Sequence, residues 1–463
     1  MIRKNWWIAA SIFIPSLIIF HQSLSYYFFQ DDWFVLNWAK TGNLLSFFSF
    51  RTDIIYWRPL SMPFFFALSK SLFGLNPFGF HVLALLFHFT NILLVYLFAR
   101  LLKFKKPTAI FCAFIWGVSA FHFVPLSWLS TTSYIIGPTF ILTTIILFLK
   151  SKFKTSLLFF ALALCSTELS LVVPALILIV DPKPEKRFKN LLPFLLLIIP
   201  YVAARFLIFP APTHSEYAPI VSSKILVNSI WYFSWIFNTA ERFSTIFYLS
   251  QINSWWILVK EFSSLLAGPV FLMASFTALL LVTKPKTKVL ARGLTWFIIG
   301  LSPVIFLTGH AYAMYLSIAS LGIIYILCTC IESLPRFQKS ALLILGSVWF
   351  ISSFLTVNFL RSNHWISNEQ AISKAYSLFV KEEVKNPQHG STFVFRNAQK
   401  DFSDKYNLTL LDSENILYQS LNGDSAIQVL YSDSSLKSIY LKNGKQSNFP
   451  PNATFYEISP KIK

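Results

Sequence analysis

The chain has 463 residues, of which 55% are hydrophobic and only 13% are charged. A soluble domain would carry roughly a quarter of charged residues, so the composition excludes an ordinary soluble enzyme. The net charge is +19, and its distribution along the chain decides whether it indicates nucleic acid or membrane topology.

The positive charge is concentrated in short segments between apolar runs. Six clusters hold 19 of the 39 basic residues, and they lie at 3–4, 100–106, 150–154, 183–189, 284–292 and 336–339. Short basic loops that alternate with apolar runs follow the positive-inside rule. The pattern predicts a multi-pass protein of the plasma (inner) membrane with a cytoplasmic N-terminus, surrounded by membrane lipids and without a nucleic-acid partner.

Apolar runs near membrane-spanning length recur along most of the chain. We predict about eleven crossings, near 5–24, 79–101, 108–124, 133–149, 155–167, 169–181, 190–209, 263–283, 293–309, 313–331 and 340–359. The two runs between 155 and 181 are too short for a bilayer core of about 30 Å, so a short or re-entrant hairpin is predicted there. The aromatic segment 226–262 is interrupted by polar residues and favours an amphipathic helix at the outer interface.

Two adjacent carboxylates follow the first apolar run, in the stretch "YYFFQDDWFVLNW". Asp31 and Asp32 would lie on the outer side, in a long loop that also carries Arg58, and long loops in compact folds are usually functional. A solvated helix cap is the alternative interpretation. Against it, the aromatic neighbours would hold the carboxylates at the membrane interface, where an ionised group without a partner is costly.

The first third of the chain resembles the GT-C glycosyltransferases, in particular the branch of protein O-mannosyltransferases and their bacterial relatives. The segments that carry the resemblance are "FFQDDWFVLNW", "YWRPLSMPFFFAL" and "LFGLNPFGFHVLALLFHFTNILLVYLFARLL"; weaker ones are "CSTELSLVVPALILIVD", "YVAARFLIF" and "GHAYAMYLSIASLG". The sequence departs from the family pattern at Thr167, where Lys is common, and at His310, where Arg is common. The tail shows no tetratricopeptide period.

The resemblance implies a role for each of the residues that match. It implies that Asp31 supplies the catalytic carboxylate, with Asp32 as its orienter or as the alternative base. Chemistry supports these roles, because an Asp can accept the proton of an acceptor hydroxyl. Cations stabilise a leaving phosphate, and Arg58 and Arg205 are the candidates, since guanidinium binds phosphate oxygens bidentately. Attack opposite the phosphate would invert the anomeric centre.

Further candidates would line the site, and each has a structural alternative. They are Tyr56, His81, His88, Glu168, His310, Tyr312 and Tyr315. An acid inside an apolar run is a functional candidate, but Glu168 could also cap a hairpin. Histidines seven residues apart share a helix face but are equally consistent with a core. Tyrosines at a helix end are typical of an aromatic belt, and Arg205 could snorkel to the interface.

Residues 361–463 are predicted to form a small extracytoplasmic α+β domain, which follows a catalytic membrane domain at 1–360 in the chain. The segment 365–385 has helical spacing, whereas 391–396, 407–411, 426–431, 438–442 and 454–459 read as short strands. No nucleophile triad or metal spacing is visible there. We therefore expect this domain to bind the acceptor or to act as a lid.

The sequence thus predicts an all-α polytopic membrane enzyme of GT-C type. It would transfer a sugar from a polyprenyl-phosphate donor to a hydroxyl of a protein, lipid or glycan acceptor. No cofactor is predicted, and dependence on a divalent metal is left open. The alternatives are a transporter or flippase of a lipid-linked sugar, and an enzyme similar to an O-antigen ligase or polymerase; the absence of internal repeats argues against a transporter.

Overall fold

A computed structural model of the chain describes residues 6–41, 43–51, 54–181, 188–209, 217–249, 259–406, 408–409, 413–441 and 454–461. Within these ranges the protein is mostly helical, with a small three-stranded sheet near the C-terminus. The helices up to residue 164 are α1 (Trp6–Phe20), α2 (Asp31–Thr41), α3 (Phe65–Phe73), α4 (Pro77–Leu101), α5 (Lys106–Val118), α6 (Phe123–Ser127), α7 (Ser133–Leu149) and α8 (Phe153–Leu164).

The next eight helices complete the apolar part of the chain. They are α9 (Val173–Val180), α10 (Leu192–Leu207), α11 (Lys224–Ile236), α12 (Arg242–Leu249), α13 (Ser263–Thr283), α14 (Thr287–Leu301), α15 (Leu316–Glu332) and α16 (Gln338–Asn363). Short 3₁₀ turns at Glu168–Val172 and Ala313–Tyr315 precede α9 and α15. A π-helical turn at Leu60–Phe64 precedes α3.

Among the described residues, six helical segments are long and apolar enough to cross a membrane. They are Pro77–Leu101, Leu129–Leu149, Phe188–Leu207, Ser263–Thr283, Ala313–Glu332 and Gln338–Asn363. The pair Lys106–Val118 and Ala120–Ser127, bent by 47°, would make a seventh. These seven coincide with predicted crossings, whereas the other four predicted crossings fall on helices of fewer than 18 residues at α1, α8, Glu168–Val180 and α14.

The segment 153–180 forms two short helices joined at a polar turn. Helix α8 has 12 residues, or roughly 18 Å at 1.5 Å per residue, which is well short of a bilayer core. The turn between them begins with Thr167, whose side chain accepts a hydrogen bond from the backbone of Leu169. Glu168 follows directly, so this turn presents a carboxylate at the end of an apolar hairpin.

Local sequence explains where α4 begins. The Asn76 side chain accepts a hydrogen bond from the backbone N–H of Phe78 at 3.2 Å, and Pro77 occupies the first helical position. An Asn cap followed by Pro is a strong helix start, because it satisfies one free N–H and removes another.

Helices α14 and α15 pack closely through small residues. A Cβ added at Gly322 would lie 2.2 Å from the carbonyl oxygen of Gly293, and one at Gly300 would lie 2.8 Å from the Cα of Ala319. Small residues permit this approach of two apolar helices. The close pair fixes the connection between them, which forms part of the site described below.

The predicted interfacial segment is only partly at the surface. In α11, the last turns bury Tyr232, Trp235 and Ile236 in the main hydrophobic core. Helix α12 follows, and residues 250–258 lie outside the described part of the chain.

The tail begins with α17 (Trp365–Glu383) after α16 has run past the predicted boundary at 360. It continues with β1 (Thr392–Phe395), α18 (Lys400–Tyr406), α19 (Ser413–Leu421), α20 (Ser425–Leu430), β2 (Lys437–Tyr440) and β3 (Phe455–Ile458). The strands form a parallel sheet in the order β2-β1-β3.

Three of the five predicted tail strands are confirmed, and one is wrong. The segment 426–431 lies in α20, because a short apolar run cannot be assigned to strand or helix by periodicity alone; it buries Ala426, Ile427 and Val429. Of the predicted strand 407–411, only residues 408–409 lie in the described part, and they carry no regular structure.

The tail shares a hydrophobic core with the segment between α1 and α4. Trp33 and Phe66 belong to the same buried cluster as Ile372, Tyr376 and Phe393. Aromatic burial of this kind dominates core energetics. The tail also packs directly on α2, which determines how it can act on the site.

Candidate active site

A cavity of about 510 Å³ lies where five segments of the chain meet. Its wall is formed by α2, the segment 55–58, the turns around 128–134, the hairpin 161–171 with α10, and the α14–α15 connection. Seven of the eleven predicted site residues line it, namely Asp31, Tyr56, Arg58, Glu168, Arg205, His310 and Tyr315. Residues up to 284 positions apart in sequence thus meet around one space.

Asp31 begins α2 and presents its carboxylate to this cavity. None of the hydrogen bonds between described residues involves that carboxylate, and burial raises its pKa to about 6. A base works best when its pKa lies near the operating pH. The environment of Asp31 therefore suits a group that accepts a proton.

Asp32 points the other way and is completely buried. Its Oδ1 accepts hydrogen bonds from the backbone N–H and the hydroxyl of Ser130, at 2.7 and 2.6 Å, and its Oδ2 accepts one from the backbone N–H of Phe29 at 3.3 Å. Burial raises its pKa to about 7, although these three bonds oppose the shift. Of the two roles predicted for Asp32, this geometry favours orientation of the loop over proton transfer.

Arg58 forms the most connected polar cluster of the site. Its Nε donates to Glu168 Oε2 at 2.8 Å, and its Nη2 donates to Glu168 Oε1. The remaining donors reach the Ser133 hydroxyl at 3.1 Å and the Tyr134 hydroxyl at 2.8 Å. The guanidinium also lies over the Tyr56 ring, 4.6 Å from its centroid. Two-pronged pairing of this kind is strong and directional.

This pairing changes the role expected of Arg58. The edge of the guanidinium that would bind a phosphate bidentately is occupied by Glu168. The predicted donor-phosphate contact would therefore need the pair to open, or would use Arg205 instead. Arg205 lines the same cavity from α10.

Tyr56 connects the two sides of the cavity electrostatically. Burial raises the pKa of its hydroxyl; the charge of Asp31 adds to that shift and the charge of Arg58 opposes it. Tyr56 lines the cavity together with Asp31 and Arg58. It therefore lies between the acidic group and the cationic group of the site.

The α14–α15 connection contributes an aromatic wall with one imidazole. His310 Nδ1 and the hydroxyl of Tyr315 are 2.7 Å apart, and the His310 ring lies against Tyr217, with centroids 4.4 Å apart. The two rings are tilted by 34°, and aromatic side chains of this kind commonly line concave ligand sites.

Four predicted residues do not line this cavity, namely Asp32, described above, His81, His88 and Tyr312. His81 is buried and bonds through Nδ1 to the Leu126 carbonyl at 3.0 Å. His88 is buried against Ser16 and the Gly117 carbonyl, at 3.0 and 2.9 Å from Nε2. Their shared helix face points into the core, so the alternative interpretation describes them better.

Tyr312 lines a smaller pocket of about 210 Å³. Glu241 and His364 line the same pocket, and their side chains are 3.4 Å apart. The ring of Tyr312 lies 4.6 Å from that of His310. Tyr312 is therefore beside the main cavity but not in its wall.

Sequence reasoning missed the segment Trp128 to Tyr134. Ser130 holds Asp32, while Ser133 and Tyr134 hold Arg58. The signal was present as consecutive hydroxyl residues between two apolar runs. Buried hydroxyls need hydrogen-bond partners, so such a run predicts polar groups nearby, but it does not say which.

No group of three or more His, Cys, Asp or Glu side chains within the described ranges is arranged to hold a metal ion. Searches against protein-family models and curated proteins gave no match for this chain. The arrangement itself offers an unpaired carboxylate, a guanidinium–carboxylate pair, a second arginine and apolar walls. This combination can bind an amphiphilic anion and remove a proton next to it.

Proposed function

We propose that the chain is a membrane glycosyltransferase of GT-C type that uses a polyprenyl-phosphate sugar. The observation that carries the proposal is the cavity, in which Asp31 faces Arg58, Glu168 and Arg205 within a largely apolar lining. Ligand sites are typically mostly apolar with a few convergent polar groups. A lipid-linked sugar phosphate matches both parts of this lining.

Apolar side chains beside the charged groups suit the prenyl chain. Leu164 of α8 and Leu197, Pro200 and Ala204 of α10 line the cavity close to Arg205 in sequence or space. Burial of each CH₂ of a lipid contributes about 0.8 kcal/mol. The phosphate would then lie at Arg205, with the sugar directed towards Asp31.

The reaction follows from this placement. The acceptor oxygen attacks the anomeric carbon while its proton moves to the Asp31 carboxylate. The bond between the anomeric carbon and the phosphate oxygen breaks, and polyprenyl phosphate leaves with the electron pair. Positive groups beside the developing charge lower the barrier, and attack from the opposite side inverts the anomeric centre.

Purified protein in lipid nanodiscs with radiolabelled polyprenyl-phosphate hexoses and pentoses tests the proposal. We expect labelled sugar in a new product for the parent chain and for Asp404→Asn, an exposed acid in α18, but not for Asp31→Asn. Movement of intact labelled lipid between leaflets without a product would instead favour the transporter or flippase. Release of prenyl diphosphate from a glycan donor would favour the ligase or polymerase alternative.

The proposed membrane topology has eleven crossings, with α8 and α9 as a short hairpin and the tail outside. Cysteines at Ser434 and Thr287, both exposed, provide the test with an impermeant thiol reagent in intact cells. Ser434→Cys should be labelled beyond the level of the parent chain, and Thr287→Cys should not. Protection of Ser434→Cys would contradict an odd number of crossings.

A further inference from the structure

The residue before Asp31 has an unusual backbone conformation. Gln30 has φ of +48°, in the left-handed region that side chains other than Gly, Asn and Asp rarely adopt. Such strain costs about 1–3 kcal/mol and persists only where the surroundings impose it. The direction in which α2 starts, and therefore the position of Asp31, depends on this residue.

Two bonds from the tail hold Gln30 in place. Its backbone N–H donates to the carbonyl of Ser420, at the end of α19, at 3.0 Å. Its side-chain amide donates to Glu369 of α17. Both partners are more than 330 positions away in sequence, so the conformation of Gln30 is imposed by the tail.

The same face of α17 also holds the neighbours of Gln30. The Ser373 hydroxyl donates to the Phe28 carbonyl at 2.6 Å and accepts from Trp33 Nε1 at 2.9 Å. The backbone N–H of Tyr27 donates to the Gln370 side chain at 3.3 Å. Helix α17 therefore contacts the loop on both sides of Asp31.

Burial of Glu369 costs more folding free energy than a purely structural contact would require. It is buried, and no cation pairs with it within the described ranges. Burial raises its pKa to about 7, its bond to Gln30 opposes the shift, and the charge of Asp31 adds to it. A buried acid without a cation is costly, and a Gln at this position would make the same hydrogen bond without that cost.

We propose that the tail positions the Asp31 carboxylate, with Gln30 as the link and Glu369 and Ser420 as its anchors. Gln30 and Glu369 are then positioning residues that act through Asp31, and the tail is more than an acceptor platform. The proposal rests on the proposed function for what Asp31 does, but its geometry can be tested separately.

The activity test compares substitutions at 369 with one elsewhere in the same interface. Glu369→Ala should lower kcat by about 10–100-fold, because displacement of a catalytic group by about 1 Å costs this much, with donor affinity within twofold. Asn37→Ala removes a different contact with the tail, the bond to Gln428, and should leave kcat within threefold. An equal loss in both variants, or a loss that follows only the yield of folded protein, would overturn the proposal.

The conservative variant gives a readout that a structural role would not move. Glu369→Gln keeps an acceptor for Gln30 and should recover most of kcat. The pKa of Glu369 is raised to about 7, so this residue is largely protonated at the acidic limb that Asp31 sets near pH 6. Asp32 and Tyr56, which also face Asp31, are unchanged, so Glu369→Gln should leave the midpoint of that limb in place. A kcat of Glu369→Gln as low as that of Glu369→Ala would contradict the assignment of Glu369.

A measurement without catalysis separates this proposal from the proposed function. In an Asp31→Cys background, the rate of thiol modification reports how residue 31 is presented to the cavity. Adding Glu369→Ala should change that rate several-fold, while adding Asn37→Ala should not; Ser434→Cys serves as the reference. A changed rate, together with no sugar transfer by the parent chain, would sustain the positioning and refute the transferase, and an unchanged rate would refute the positioning.

Discussion

The two walls of the cavity treat their carboxylates in opposite ways. On one wall, Glu168 is bound by two nitrogens of Arg58 and by the hydroxyl of Tyr134 at 3.1 Å. On the other wall, Asp31 accepts no hydrogen bond from any described residue and has a raised pKa. Both groups come from short polar sequences between apolar runs, yet only one of them has its partners.

The difference indicates a division of work. A carboxylate that is fully paired stabilises the fold and shapes the site, but it has little capacity left to accept a proton. An unpaired, partly buried carboxylate costs stability, and such costs concentrate at functional positions. The contrast is therefore a stronger functional indication than the presence of either acid.

The largest expected effect on sugar transfer comes from substitution of Asp31, whose carboxylate accepts no hydrogen bond from any described residue. Asp31→Asn is nearly isosteric and removes the base, so we expect sugar transfer to slow by ~10²–10⁴, with donor binding within twofold. Initial rates and equilibrium donor binding in nanodiscs measure the two quantities. The paired neighbour Asp32 provides the comparison, although a loss there would also report on its bonds to Ser130.

The pH dependence of the parent enzyme tests the same assignment. Asp31 with a pKa of about 6 loses its proton as the pH rises through 6, so kcat/KM should fall about tenfold for each unit below that value. Activity that stays constant down to pH 4.5 would show that no group with this pKa acts as the base.

The next largest effect should come from substitution of Glu168, which is paired with Arg58, and it should be an effect on stability. Glu168→Gln leaves Arg58 without its counter-charge, and loss of one partner of a buried pair costs about 3–5 kcal/mol, less here because Glu168 is partly open to the cavity. We expect a clear fall in the apparent melting temperature. The double variant Arg58→Met/Glu168→Leu should recover stability; if the single variant is as stable as the parent chain, the pair is not structural.

The site was predictable from sequence where residue types were unusual for their surroundings. Acids among aromatic residues at 31–32 and in an apolar run at 168 were visible, because charge is costly there. Arg58 and Arg205 were predicted from the family resemblance and from the affinity of guanidinium for phosphate. Which acid would be paired was not visible, because the partners of Asp32 and Arg58 come from residues 130–134, which only the fold brings close.

The fold was predictable to the same degree. Hydrophobic length located the longest helices, such as Pro77–Leu101, and the cap at Asn76 marked its start. The docking of the tail on α2 could not be read from sequence, because it depends on single bonds such as that from Gln30 to Ser420. The strand predicted at 426–431 was wrong because a short buried helix shows the same apolar run.

A smaller effect concerns the second arginine. Arg205→Ala should weaken binding of polyprenyl phosphate by about 1–3 kcal/mol, the range for hydrogen bonds to a charged group. Arg205→Lys should retain only part of the binding free energy, because Lys keeps the charge but cannot bind two phosphate oxygens at once as a guanidinium does. Lys224→Ala, at an exposed cation, is the control for general charge. Unchanged affinity in Arg205→Ala would move the phosphate to an opened Arg58–Glu168 pair.

The smallest expected effect is on the pH dependence of stability, and its sign distinguishes an unpaired Asp31 from a paired one. Because the pKa of Asp31 is about 6 in the folded protein and near 3.9 in an unfolded chain, the folded state binds more protons between these values. Its stability therefore falls as the pH rises from about 4 to about 6, and the loss is complete above that range.

Asp31→Asn removes this loss of stability. It also removes a favourable charge at the start of α2, worth about 0.3–1 kcal/mol, so the net gain should be ~2 kcal/mol at pH 8 and none at pH 4. Thermal unfolding at the two pH values measures it, with Asp404→Asn as the neutral reference. Asp31→Asn would then be more stable than the parent chain while Glu168→Gln is less stable. If Asp31→Asn is destabilised at pH 8, its carboxylate has a structural partner, and the contrast between the two walls disappears.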